Sequence, residues 1–180
     1  ISKKCIDFFV DKNLIYESKG YHNIIFKGKD ENGITRFASM RGVFDKNGYV
    51  FKCDVKGNDK NYGFNFVNDK SDELEVFEGA IDLLSYCDIY DDYKTNKLAL
   101  GMIADAPLET FLKENQNIRI IRLCLDNDGP GRVASSVLKD KYESRGYKVI
   151  DLPPPKEYKD YNDWIKSLRS KKTITMEKYR

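Results

Sequence analysis

The sequence predicts an α/β protein with a four-stranded parallel sheet and flanking helices, preceded by a small α+β subdomain with an antiparallel sheet. In the first part, short strand-like segments flank Asn-Gly turns, which is typical of β-hairpins. In the second part, short apolar segments alternate with helical patterns, and right-handed crossovers then give a doubly wound parallel sheet. The predicted division is a subdomain over 1–70, an α/β domain over 71–168 and a basic tail over 169–180.

The first part is predicted to begin with a helix that has Ser2 as its N-cap and ends near Lys12. The two Asn-Gly turns lie at 30–33 and 45–48, where they can connect antiparallel strands. Strands are predicted over 23–27, 34–38, 48–52 and 62–67.

The second part repeats a strand followed by a helix. Pro107 suits the first turn of the second helix, and Gly146 suits the end of the third. The segment 118–125 is apolar apart from two arginines, as expected for a strand buried in a parallel sheet. The strands are predicted over 74–77, 97–102, 118–125 and 147–152, and the helices over 80–90, 107–115, 132–145 and 161–168.

The composition favours a soluble globular protein without a membrane span. Charged residues make up 33% of the chain, and no apolar run is long enough to cross a bilayer. The first residues do not resemble a secretory signal, because lysines interrupt a short apolar segment. We therefore expect a cytoplasmic protein with no membrane partner. Because the sequence does not begin with Met, we also expect it to be part of a longer protein.

The four cysteines, at positions 5, 53, 87 and 124, have no short Cys-x-x-Cys spacing, so no zinc site is expected. Cys87 and Cys124 lie in apolar patterns and are predicted to be small core residues. Without a secretory signal, reduced thiols are expected.

The net charge of +2 is too small to indicate nucleic-acid binding by itself. Residues 1–70 carry a net charge of +4 and residues 71–180 carry −2, while the last fifteen residues hold six basic side chains. An acidic half flanked by basic segments suits a phosphate polymer that is held by cations. The same distribution also fits an ordinary solvated surface.

Carboxylates follow two of the predicted parallel strands. Glu78 follows the first strand, and Asp126 and Asp128 follow the third. Because ligands bind at the carboxyl ends of the strands in such sheets, we expect these side chains at one edge. Oxygen ligands of this kind suit Mg²⁺ or Mn²⁺, which also bind water and substrate phosphates. Asp82, one helical turn after Glu78, either reaches the water shell of the metal or is an ordinary acid in the first turn of a helix.

Two other acidic motifs share these letters but differ in pattern. A calcium loop of the EF-hand type that begins at Asp126 needs an oxygen ligand at position five and Glu at position twelve, where this chain has Pro130 and Val137. An aspartyl-phosphate phosphatase of the haloacid dehalogenase kind has its acids after the first strand, whereas the Asp-Asn-Asp sequence follows the third. The calcium loop is therefore rejected and the phosphatase is disfavoured.

Several cations are candidates for nucleic-acid binding. Arg132 lies at a helix start, where backbone N–H groups also favour phosphate. Arg36, Arg41 and Lys52 lie among aromatic residues on predicted strands, an arrangement that can hold single-stranded nucleic acid. The same alternation also fits a sheet with a buried aromatic face and a basic face. Arg41 is the first choice, because Gly42 follows it at an expected turn.

Three motifs form a recognisable set: Glu-Gly-Ala-Ile-Asp at 78–82, Ala-Leu-Gly at 99–101 and Leu-Asp-Asn-Asp-Gly-Pro-Gly-Arg-Val-Ala at 125–134. Together they resemble the Toprim domain, a family that includes bacterial primases, topoisomerases, recombination-mediator proteins and OLD-type nucleases. The resemblance covers roughly residues 73–165 and implies the Rossmann-like Toprim fold for the parallel sheet.

The two ends of the chain extend this resemblance. Lys-Asp-Tyr-Asn-Asp-Trp at 159–164 is similar to the end of primase-like Toprim proteins from plasmids and mobile elements. In those proteins a small uncharacterised domain often precedes Toprim. Residues 1–70 resemble that domain in Gly28, 32–33, 36–39 and 41–42.

The resemblance implies that Glu78 is the general acid or base of phosphoryl transfer, or completes the metal shell, and that Asp126 and Asp128 hold Mg²⁺ or Mn²⁺. It implies a DNA primase-like nucleotidyltransferase from a plasmid, phage or conjugative element. Its expected partners are single-stranded DNA, nucleoside triphosphates and further domains of the full-length protein. Two alternatives stay open: a metal-dependent nuclease or topoisomerase-like enzyme that cleaves strands, and a nucleic-acid-binding module that is inactive on its own.

Overall fold

A computed structural model describes residues 1–46, 49–101 and 104–177 of the chain. These residues form two sheets with helices packed around them. In chain order the elements are α1 (Lys3–Asp11), β1 (Ile15–Glu17), β2 (Ile24–Lys29), β3 (Thr35–Lys46), β4 (Tyr49–Asp54), β5 (Phe64–Phe66), β6 (Glu73–Phe77), α2 (Ala80–Tyr90), β7 (Asn96–Ala99), α3 (Ala106–Glu114), β8 (Ile120–Leu123), α4 (Gly129–Glu143), β9 (Lys148–Asp151) and α5 (Tyr161–Glu177).

The first sheet is antiparallel, with strand order β1-β2-β3-β4. The predicted hairpin is confirmed, because β2 and β3 pair antiparallel on either side of the turn. Asp30 Oδ1 stabilises this turn by accepting hydrogen bonds from the backbone N–H groups of Asn32 and Ile34 at 3.0 and 2.9 Å. The N-cap of α1 is also confirmed, since the Ser2 side chain accepts a hydrogen bond from the Cys5 N–H. The second predicted turn, 45–48, lies partly outside the described residues.

The second sheet has the strand order β5-β7-β6-β8-β9. The four strands β7, β6, β8 and β9 are parallel, which confirms the predicted α/β class. β5 comes from the first part of the chain and pairs antiparallel with β7, so that Phe64 lies opposite Ala99. The prediction of a strand near residues 62–67 is correct, but this strand belongs to the second sheet. Its side chains are all buried, which protects the edge of β7.

Two apolar cores lie on opposite faces of this second sheet. Leu74 and Val76 of β6 face α3 and α4, with Leu108 and Leu138 among the buried partners. Phe77, on the alternate face, packs with α1, α2 and α5. The core of this face also includes residues of β1, β2 and β5, so both parts of the chain contribute to it.

In the first part, β1 is not among the predicted strands and β3 extends well past the predicted end at 38, while in the second part the main differences lie at helix ends. α4 begins at Gly129 and not at Arg132, because Asp128 is the N-cap and accepts a hydrogen bond from the Gly131 N–H. The Gly-Pro-Gly segment is therefore the first turn of the helix, where Pro is tolerated. α5 continues to Glu177, past the predicted end at 168, since no Gly or Pro interrupts 169–177. In the described residues no helix is long and apolar enough to cross a membrane.

The cysteines and the last helix are placed largely as predicted. Cys87 and Cys124 are buried free thiols, as is Cys5, while Cys53 is exposed. Tyr161 is buried at the start of α5 and its ring contacts the ring of Phe77 at a centroid distance of 6.1 Å. These contacts attach α5 to the end of β6, which is where the site begins.

Candidate active site

The three acids that follow β6 and β8 meet at the first turn of α4. These strands are parallel neighbours, with Val76 opposite Leu123, so their carboxyl ends lie side by side. The Gly131 N–H donates to Asp128 Oδ1 at 2.9 Å. A Cβ atom on Gly131 would lie 2.8 Å from Glu78 Oε1 and 2.4 Å from the Asp126 carbonyl oxygen. The structure therefore brings the three predicted acids together around one glycine.

Glu78 is half-buried, and one of its carboxylate oxygens is buried and unsatisfied. Its Oε1 atom has no hydrogen-bond partner among the described residues. Burial raises the pKa of Glu78, and the negative charge of Asp128 adds to this, while a hydrogen bond from the Asp126 backbone lowers it. A carboxyl group in this position holds a proton more readily than one in water. It is therefore suited to general acid–base chemistry.

Asp126 and Asp128 have opposite electrostatic environments although they are two residues apart. Burial raises the pKa of Asp126 to about 7, and the negative charges of Glu78, Asp82 and Asp160 contribute further. The pKa of Asp128 is lowered, mainly by the hydrogen bond that it accepts from the Gly131 N–H. The charged form of Asp128 is thus stabilised, whereas the surroundings of Asp126 disfavour its charged form.

Asp82 belongs to the same acidic cluster. Burial raises the pKa of Asp82 to about 6, and the negative charge of Asp160 raises it further. Its Oδ1 atom accepts a hydrogen bond from the Asn162 N–H at 3.2 Å, so it joins the start of α2 to the start of α5. Its role as a metal ligand stays a prediction.

Lys159 and Asp160 also lie at this site, although the sequence patterns assign them no role. The Lys159 ammonium lies 3.7 Å from Asp126 Oδ2 and 3.4 Å from Asp128 Oδ2. Both residues follow β9, the last parallel strand. They could have been predicted from the rule that ligands bind at the carboxyl ends of parallel strands.

The same side chains are the candidates for metal ligation. Among the described ranges, no group of three or more His, Cys, Asp or Glu side chains is arranged as a complete metal site. The unsatisfied Glu78 oxygen nevertheless fits a divalent cation, as do the burial and the neighbouring negative charges that raise the pKa of Asp126. Mg²⁺ keeps several waters and uses only one or two protein carboxylates, so a complete protein cage is not required. Asp126 and Asp128, with Glu78 near them, are the residues that would hold it.

A cleft of about 340 Å³ lies between the antiparallel sheet and the start of α2. Glu78 and Asp82 line one wall, and Arg41 and Lys52 line the other, where they are paired across β3 and β4. Arg41 lies within β3, so the turn expected at Gly42 is wrong: the strand continues to Lys46, with a register shift after Arg41.

The aromatic residues of the first sheet are predicted either to hold single-stranded nucleic acid or to form a buried face, and the structure has both buried and exposed ones. Phe26 and Phe37 also line the cleft but are buried, so these two rings belong to the core, whereas Phe51 is 42% exposed. The cleft thus presents cations on one wall and carboxylates on the other, with apolar rings beneath.

Arg36 and Arg132, the other two cations predicted to bind nucleic acid, form hydrogen bonds outside this cleft. Arg36 Nε donates to Asp30 Oδ2 at 2.7 Å, in the hairpin turn. The Arg132 guanidinium donates to the carbonyl oxygens of Leu125 and Asp126 and to the Asp151 carboxylate. Arg132 therefore stabilises the turn that holds the acids. Nucleic-acid binding by Arg36 and Arg132 stays a prediction.

The fold and the site together define a doubly wound α/β domain with an acidic cluster at the carboxyl edge of its parallel strands. A Toprim-like family model matches residues 75–165, and the chain belongs to this family. Residues 1–71 match a second model, described as a protein of unknown function (DUF3991). The resemblance to Toprim with a preceding small domain is thereby confirmed.

An uncharacterized Bacillus anthracis protein of the pXO2 plasmid, pXO2-78, is 29% identical over 185 residues. The match covers 92% of this chain and 54% of that protein, so the chain spans about half the length of this relative.

Similar solved structures are primases. The primase fragment of the bacteriophage T7 primase-helicase protein has a TM-score of 0.58 and 21% identity, and the match covers 91% of this chain and 64% of that one. The T7 gp4 primase domains bound to an RNA/DNA hybrid and dTTP have a TM-score of 0.61 and 21% identity, over 98% of this chain and 85% of that one. At this identity the likeness shows the fold.

Proposed function

We propose that the chain is the catalytic part of a DNA primase-like protein of a mobile element, which joins nucleotides on single-stranded DNA with Mg²⁺ or Mn²⁺. The observation that carries this proposal is the cleft in which Glu78 and Asp82 lie across from Arg41 and Lys52. A phosphate polymer held by these cations passes next to the carboxylates. The fold of the T7 primase domains bound to a hybrid and dTTP supports the activity, and the pXO2 relative supports the mobile element.

The residues divide the chemistry between them. Asp126 and Asp128 hold the divalent ion, which when bound neutralises charge on the phosphates. Glu78, whose pKa is raised mainly by burial, takes the proton from the attacking hydroxyl group, whose oxygen bonds to the α-phosphorus of the triphosphate as pyrophosphate leaves. Arg41 and Lys52 bind phosphates of the template or of the incoming triphosphate from the opposite wall of the cleft.

The test is a primer-synthesis assay on single-stranded DNA with labelled nucleoside triphosphates and Mn²⁺ or Mg²⁺. Glu78→Gln and Asp126→Asn are expected to lower synthesis by roughly 10²-fold to 10⁴-fold, because a proton acceptor and a metal ligand are lost. Glu143→Gln, an exposed acid on α4, is the matched control and should keep full activity.

Three results would contradict the primase proposal. Strand cleavage without synthesis, lost in the same two variants, would indicate the nuclease or topoisomerase-like alternative. Intact binding of single-stranded DNA with neither activity would indicate a nucleic-acid-binding module. Equal synthesis by Glu78→Gln and Glu143→Gln would show that the reaction occurs elsewhere.

A further inference from the structure

The Asp-Asn-Asp sequence has a middle residue that points away from the acids. The Asn127 side-chain amide donates to the carbonyl oxygens of Pro154, Pro155 and Tyr158 at 2.8, 3.2 and 3.0 Å. Its backbone N–H donates to the Lys159 carbonyl oxygen at 2.7 Å. Asn127 therefore fixes the backbone of the segment after β9 directly against the acidic turn.

These hydrogen bonds of Asn127 determine which groups the Lys159 side chain can contact. With its backbone held at Asn127, Lys159 extends its ammonium to both carboxylates that flank the amide, at 3.7 Å from Asp126 and 3.4 Å from Asp128. The side chain is 56% exposed, so its end is free to move while its backbone stays in place. The hydrogen bond to Asp128 is the main reason that the pKa of Lys159 is raised.

We propose that Lys159 is an internal counter-cation of the acidic site, whose ammonium neutralises Asp126 and Asp128 and competes with the divalent ion for the same oxygens. This inference rests on the proposed metal-dependent function and assigns a positioning role, since Lys159 acts through the two acids. Mg²⁺ binds carboxylate oxygens at about 2.0–2.1 Å, and an ammonium within 4 Å of the same oxygens repels it. A flexible, hydrated ammonium can leave for solvent or for a phosphate, which a buried guanidinium cannot do as easily.

The competition has two consequences for the protein. Without a divalent ion, Lys159 keeps the two acids from repelling each other and so stabilises the turn. When an ion binds, the ammonium is released within reach of a substrate phosphate. Removal of the ammonium should therefore lower the thermal stability of the protein in a chelator and raise its affinity for the metal ion.

The experiment compares Lys159→Met with Lys156→Met in the whole chain. Lys156 is exposed on the same segment, so its substitution removes one equal charge without touching the acids. In EDTA, Lys159→Met is expected to unfold about 1–3 °C below the wild type. Its dissociation constant for Mn²⁺, measured by calorimetry, is expected to be roughly threefold to tenfold lower than that of the wild type. Lys156→Met should match the wild type in both measurements.

The possible results separate this inference from the proposed function. Equal tightening of Mn²⁺ binding in both lysine variants would show a general charge effect, and weaker binding by Lys159→Met would show that the lysine assists the ion; either overturns the inference. If the wild type binds no Mn²⁺, or binds it equally well as Asp126→Asn, the metal-dependent function itself is wrong.

Discussion

Strand β6 carries the buried glutamate Glu75, and the half-buried glutamate Glu78 follows its end, three residues on and in opposite surroundings. Glu75 accepts hydrogen bonds from the Tyr86 hydroxyl at 2.9 Å and the Thr95 hydroxyl at 2.8 Å, and forms an ion pair with Lys97. Glu78 Oε1 has no hydrogen-bond partner among the described residues. A buried carboxylate with both oxygens paired supports the fold, whereas one with an unsatisfied buried oxygen is available to a ligand. The difference separates a structural acid from an acid of the proposed active site, and we call the acids of that proposed site the functional acids.

The strongest test of this comparison removes the partner of the structural acid. The Lys97 side chain is fully buried and also pairs with Asp92 at 3.0 Å. Lys97→Met leaves Glu75 charged and unpaired inside the protein, so the free energy of unfolding should fall by about 3–5 kcal/mol. Urea denaturation monitored by circular dichroism measures this change.

A double variant provides the control. Glu75→Gln together with Lys97→Met removes both fully buried charges and should recover most of the lost stability, because only the partly exposed Asp92 is then left without its cation. If Lys97→Met alone stays within about 1 kcal/mol of the wild type, then Glu75 is not the charged structural acid described above.

The second test concerns the glycine at which the functional acids meet. A methyl group on Gly131 would approach backbone atoms of Asp126 and the Glu78 carboxylate at 2.4–3.0 Å. Gly131→Ala should therefore lower the free energy of unfolding by about 1–3 kcal/mol and weaken Mn²⁺ binding, as the acids are pushed apart. Thermal unfolding and calorimetry measure the two effects.

Gly129 is the matched control for this substitution. It lies in the same helical turn, and a Cβ atom there has nothing within 4 Å. Gly129→Ala should be neutral or slightly stabilising, because Ala favours the helix. Equal destabilisation by the two substitutions would show that the close approach at Gly131 is unimportant.

The fold was largely predictable because periodicity and turn chemistry act over short distances. The pattern over 80–90 predicts α2 with its observed ends, and the parallel strands are each predicted to within a few residues. The pairing of β5 with β7 was not predictable, since it depends on tertiary contacts of Phe64 and Phe66. For the same reason the sequence does not show that Lys97 lies opposite Glu75, which follows from the register of β6 and β7.

The site was predictable in its acids but not in the neighbours of those acids. Glu78, Asp126 and Asp128 follow strand ends, and strand ends share one edge. Lys159 lies in a segment without periodicity, and its position depends on hydrogen bonds made by Asn127. Arg132 could be recognised as a cation at a helix start, but the direction of its guanidinium depends on Asp151, 19 residues away.

The smallest expected effect concerns the functional acid with the most perturbed pKa. Asp126→Asn removes a buried negative charge that is repelled by other carboxylates, so at pH 8 in EDTA the variant should be more stable than the wild type by about 1–2 kcal/mol. Asp128→Ala is the contrasting variant, since it removes the N-cap of α4 and should lower stability by about 1 kcal/mol. Urea denaturation of both variants decides the signs.

The pH dependence of the Asp126→Asn effect gives its cause. The pKa of Asp126 is raised from 3.8 to about 7 in the folded protein, so the folded state binds this proton more tightly than the unfolded chain. The stability that protonation contributes is fully present below pH 3.8 and is lost as the pH rises through 7. The advantage of Asp126→Asn over the wild type should therefore shrink steadily from pH 8 to pH 5. An advantage that stays constant over this range would show that Asp126 is not strained by its charge, and the contrast between Glu75 and the functional acids would then lose its electrostatic basis.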